Sequence, residues 1–101
     1  MSFEQRVVVI TGASDGIGAE LARQLARERA RLALAARRAN ALDRVRDECL
    51  ALGGEAISVP TDVTEEDDCR RLVERTVETF GGIDVLVANA GVSMHARFDA
   101  I

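Results

Sequence analysis

The chain has 101 residues, 48% of them apolar and 30% charged, with eight Gly and one Pro, the make-up of one small globular domain and not of a disordered or fibrous chain. Seventeen acidic against 13 basic residues leave a net charge of -4, a poor footprint for gripping a nucleic acid by its phosphates. The longest apolar runs, residues 7–10 and 32–36, fall far short of the roughly 18 residues that a membrane span needs, and no basic start with an apolar core marks a secretory leader. A cytoplasmic protein with neither nucleic acid nor membrane as partner is the expectation.

Residue types narrow the chemistry further. Every one of the 13 basic residues is Arg, and the chain has no Tyr, so chemistry that needs Lys or Tyr is not done by these 101 residues. Cys49 and Cys69 fall on separate expected helices, which disfavours both a disulfide framework and a metal site. Both fit apolar helix faces as small core residues, and His95 reads as a surface histidine.

In chain order, short β-rich runs alternate with longer helical ones. A first strand over residues 6–11 is β-branched without polar alternation, as in a parallel sheet covered on both faces. The spacing predicts a helix over 17–30, with Ile17, Leu21, Ala22, Leu25 and Ala26 on its inner stripe. A second strand spans 32–36 and a second helix 41–52, with Asn40 as cap, Leu42, Val45, Cys49 and Leu52 inward, and Gly53-Gly54 as the stop. A third strand covers 55–59 and ends at Pro60. The third helix starts from a Thr64 cap with Asp67 three residues on, turns Cys69, Leu72, Val73, Thr76, Val77 and Phe80 inward, and closes at Gly81-Gly82. The fourth strand covers 84–88, and 92–101 is an unassigned tail.

Strands joined by helical crossovers are parallel with right-handed connections, so the economical arrangement is an open sheet ordered 3-2-1-4. This is an α/β chain: the first half of a Rossmann-like, doubly wound parallel sheet, with residues 1–101 forming one nucleotide-binding unit. In such a half sheet Val85, Leu86 and Val87 leave an unpaired apolar edge, an invitation to marginal stability and self-association.

Between the first strand and the first helix lies Thr11-Gly12-Ala13-Ser14-Asp15-Gly16-Ile17-Gly18. A tight turn at the carboxyl end of a strand, no side chain where a phosphate approaches and free amides at a helix start are what an anion site needs. Together with Asp62-Val63 after the third strand and Asp84-Val85-Leu86-Val87-Ala88-Asn89-Ala90-Gly91 at the fourth, the loop resembles the short-chain dehydrogenase/reductase family over nearly the whole chain. The resemblance implies that Gly12, Ser14, Gly16, Ile17 and Gly18 hold a pyrophosphate, that Asp62 and the Val63 amide bracket adenine, and that Asn89, Ala90 and Gly91 line the adenosine ribose. Ala88 departs from the family, which often has a first Asn there.

A ribose-binding acid is expected about 20 residues after such a loop, but the sequence reads Ala35-Ala36-Arg37-Arg38. No carboxylate there accepts from a ribose 2'-hydroxyl or repels a 2'-phosphate, whereas Arg37 offers that phosphate a planar, permanently charged fork, with Arg38 beside it. NADP is therefore expected over NAD, although Asp15 stands where phosphate-preferring relatives often carry a basic residue.

The resembling family transfers hydride between nicotinamide and an alcohol or carbonyl substrate with a Tyr-x-x-x-Lys pair, a Ser and an Asn. Tyr and Lys are both missing from these residues, so no catalytic residue is assigned. The expectation is the N-terminal cofactor half of an NADP-dependent oxidoreductase, a homo-oligomer when complete, whose catalytic segment follows Ile101. The alternatives are a stand-alone nucleotide-binding or interaction module without catalysis, and a doubly wound domain for another nucleotide such as a methyl-donor cofactor.

Overall fold

The computed structural model describes residues 3–89. They form β1 (Val7–Thr11), α1 (Gly16–Arg27), β2 (Arg31–Ala36), α2 (Ala39–Ala51), β3 (Glu55–Pro60), α3 (Glu66–Phe80) and β4 (Val85–Val87). The four strands are parallel and ordered β3-β2-β1-β4, the first half of a Rossmann-like sheet. Registers such as Ile10 opposite Leu34 and Leu34 opposite Ser58 align the carboxyl ends of the three longer strands. No described helix is long and apolar enough to cross a membrane.

Alternation along the strands feeds two cores. Val8 and Ile10 of β1 and Leu32 and Leu34 of β2 face α1 and α2, where Ala22, Leu25, Ala26, Leu42, Val45 and Cys49 complete the larger cluster. Val9, Ala33, Ala35 and Val59 point to the other face, where Leu72 of α3 meets them. Because both faces of β1 and β2 are covered, these strands can be apolar throughout. Asp84 pins β4 to β1: its carboxylate accepts from the Val7 amide at 2.8 Å and its own amide donates to the Val7 carbonyl at 2.9 Å.

Several sequence expectations need correction. Ile17 is not on the inner stripe of α1 but 78% exposed, because the helix begins at Gly16 and its second residue still projects past the sheet. The same helix stops at Arg27, three residues early, with Arg29 in the left-handed region at φ 64; no glycine announces that stop. Neither expected cap is used. Asn40 lies inside α2, which starts after an extended Arg38. Thr64 spends its hydroxyl on Asp62 Oδ1 at 2.6 Å, so α3 starts two residues later, and Asp68, not Asp67, reaches back to the Asp62 amide. Val73 and Val77 face outward at 38% and 44% exposure. Leu72 and Thr76 alone are the fully buried residues of α3, since one helix cannot press its whole apolar arc on a sheet. Pro60 is the last residue of β3, tolerated because that strand is an edge.

Candidate cofactor-binding site

The carboxyl ends of β1, β2 and β3 open into a cavity of about 470 Å³ lined by Gly12, Ser14, Arg37, Arg38, Val63 and Thr64, among others. Five residues singled out in the sequence therefore meet in one place: the loop after β1 supplies Gly12 and Ser14, the turn after β2 supplies Arg37 and Arg38, and the turn after β3 supplies Val63. Asp62 lies in an adjoining cavity with Arg37 and Thr61. Such a crevice outside the carboxyl ends of parallel strands is where doubly wound sheets bind ligands.

Gly16, Ile17 and Gly18 form the first turn of α1, so their amides have no intrahelical carbonyl to bond and lie at the positive end of the helix dipole, which favours an anion. Gly16 adopts φ 57, open to glycine without strain. Gly18 is required for a different reason. A Cβ there would collide with the Gly12 carbonyl oxygen and lie 2.8 Å from Asn89 Nδ2, so the helix start, the loop and the end of β4 are packed at contact.

Asn89 is positioned by a residue whose role sequence reasoning missed. The Thr11 hydroxyl accepts the Asn89 amide at 3.0 Å and donates to the Val87 carbonyl at 3.5 Å, tying the end of β1 to the end of β4. The signal was present as the Thr that opens the glycine motif. Thr61 was also missed; it is buried, with its hydroxyl donating to the Val59 carbonyl at 2.7 Å, and it lines both cavities. Ala90 and Gly91 lie outside the described residues, as does His95.

Electrostatics at the mouth centre on Asp62. Its Oδ1 accepts from the Thr64 amide at 2.9 Å and hydroxyl at 2.6 Å, and its Oδ2 accepts from Arg37 Nη2 at 3.2 Å. Hydrogen bonds from Thr64 and then the Arg37 guanidinium hold the carboxyl below its usual value of 3.8. The two adjoining cavities therefore set the Asp62 carboxylate beside the exposed guanidinium groups of Arg37 and Arg38, with Asp15 lining the first cavity and Asp68 the second. No acid follows β2: the position after Ala35 is Ala36, at the cavity wall.

A parallel half sheet with a glycine loop after its first strand and a crevice outside the carboxyl ends of β1, β2 and β3 defines an α/β protein of the Rossmann-like class. Comparison with known proteins narrows that class. A family model for short chain dehydrogenase matches residues 6–101, and the chain belongs to that family. An uncharacterized oxidoreductase of Listeria monocytogenes is 41% identical over 101 residues, which are 100% of this chain and 41% of that protein. Among solved structures, a metagenomic short-chain oxidoreductase in complex with NADP is 42% identical, with a TM-score of 0.84 over 91% of this chain and 42% of its own. An NADH-dependent reductase complexed with NAD is 35% identical, with a TM-score of 0.81 over 89% of this chain and 38% of its own. The chain thus spans about two fifths of the length of these three proteins.

Proposed function

We propose that residues 1–101 are the cofactor-binding portion of an NADP-dependent dehydrogenase or reductase that moves hydride between nicotinamide and a small alcohol or carbonyl substrate. The observation that carries this reading is Arg37 and Arg38 at the wall of the glycine-loop cavity, with Ala36 where an NAD site would place an acid. The arrangement fits a dinucleotide: a glycine at position 18 that a Cβ would obstruct, a positive-φ glycine at position 16, free amides at a helix start, and guanidinium groups one strand away.

In this reading the backbone from Gly12 to Gly18, with Ser14 and Ile17, holds the pyrophosphate. Asp62 and the Val63 amide take the adenine edge, Asn89, Ala90 and Gly91 line the ribose, and Arg37 with Arg38 receives the 2'-phosphate. Bound nicotinamide supplies or accepts the hydride. The chain's own contribution is to hold the charged end of the cofactor in register; the Tyr and Lys of the family's proton-transfer pair are absent from its 101 residues, and no catalytic role is assigned within them. Assembly with further copies of the protein belongs to the same proposal.

The test is calorimetric binding of NADP and NAD to wild type and Arg37→Ala. A hydrogen-bonded charged contact is worth about 1.5–3 kcal/mol, so Arg37→Ala weakens NADP by roughly tenfold to a hundredfold and leaves NAD nearly unchanged. Equal losses for both cofactors overturn the assignment of the 2'-phosphate to Arg37.

A further inference from the structure

Arg37 belongs to two cavities at once. It lines the glycine-loop cavity with Gly12 and Ser14, and the adjoining one with Asp62. Its Nη2 donates to Asp62 Oδ2 at 3.2 Å, so the cation that reads a 2'-phosphate already has an internal anion.

The two partners are tethered unequally. Asp62 is fixed from both ends of its turn: Oδ1 accepts twice from Thr64, and its own amide donates to Asp68 Oδ2 at 2.9 Å. Asp68 is held in turn by Arg71 at 3.3 Å. Arg37, by contrast, is a long side chain with 70% of its surface exposed, bonded to Asp62 through one nitrogen. When the pair opens, Arg37 moves and the carboxylate stays.

We propose that Asp62 is a specificity-determining residue for the 2'-phosphate: it is the counter-anion of Arg37 and must surrender the guanidinium before the phosphate can take it. This rests on the reading above, in which Arg37 receives that phosphate. Exchange of one charge-assisted hydrogen bond for another returns less than a new bond would, so Asp62 holds the preference for the phosphorylated cofactor below what Arg37 alone would give.

The experiment measures the binding of 2',5'-ADP and 5'-ADP by calorimetry to wild type, Asp62→Asn, Arg37→Ala and the double variant of the 101-residue chain. The Asn side chain keeps an oxygen for Thr64 and removes the acceptor for Arg37; Asp62→Ser replaces it if that variant does not fold, and the far-ultraviolet circular dichroism melt reports the fold. The expected result is that Arg37→Ala abolishes the preference for 2',5'-ADP. Asp62→Asn raises that preference about two- to fivefold, the range of an exposed ion pair, and has no such effect in the Arg37→Ala background. If Arg37→Ala abolishes the preference but Asp62→Asn leaves it unchanged, or raises it equally in both backgrounds as bulk repulsion would, the counter-anion role is overturned while the cofactor reading stands. If neither probe binds, or Arg37→Ala keeps the preference, the cofactor reading falls and takes this inference with it.

Discussion

One methyl group distinguishes the glycines of the loop from ordinary turn residues. At Gly18 it meets the Gly12 carbonyl and the Asn89 side chain, so Gly18→Ala is expected to cost about 1–3 kcal/mol by overpacking and to abolish cofactor binding. Gly82→Ala, where a Cβ meets nothing, serves as the control; urea melts of both check the contrast, and equal midpoints refute it. The cysteines make a second residue-scale case. Burial pushes the Cys49 thiol up from 9.0 to about 11, against the opposing pull of Arg23. Below pH 9 the thiol is neutral whether the chain is folded or not, so its contribution is fully present. Between pH 9 and about 11 the unfolded chain ionises first, so stability falls as pH rises through that window. At pH 8 a thiol reagent should modify half-buried Cys69 well before fully buried Cys49; equal rates would contradict the packing.

At the scale of elements, β2 is the hinge of the design, since it pairs with β1 on one side and β3 on the other. Leu34 is fully buried at its centre, and Leu34→Ala is expected to lose about 2–5 kcal/mol, a large part of the roughly 5–15 kcal/mol that holds a domain folded. Val77→Ala, on the outer side of α3, should lose less than about 1 kcal/mol. Denaturant titration of the pair checks the direction, and a larger loss at Val77 would place α3 wrongly. The strands were legible because their residues are apolar on both faces. Helix ends were less so: α1 ends through a left-handed Arg29, and Thr64 is captured by Asp62 before it can cap α3. Both depend on neighbours that propensity does not contain.

Across the whole molecule the two faces of the sheet are covered unequally. Two helices close one side, but α3 by itself closes the other, where Val73 and Val77 remain exposed; Val85, in register with Val8, is exposed at the edge of the opposite face. Among the described residues β4 pairs only with β1, leaving a short apolar edge that pairs readily with another chain. The isolated 101-residue chain is therefore expected to self-associate at micromolar concentration and to bind a hydrophobic dye, with Val85→Lys reducing both. Sedimentation velocity gives the answer; a single monomeric boundary without dye binding would refute it.

The order of strands, the glycine loop and the missing acid at Ala36 were all determined by the sequence, because each rests on local patterning: burial on both faces, backbone freedom at a turn, the charge of one residue type. Only tertiary structure decided that Thr11 positions Asn89, that Asp68 anchors the turn after β3, and that Arg37 is held by Asp62. Those pairs join residues 6 to 78 positions apart, and a contact made by chain folding leaves no periodic trace along the chain.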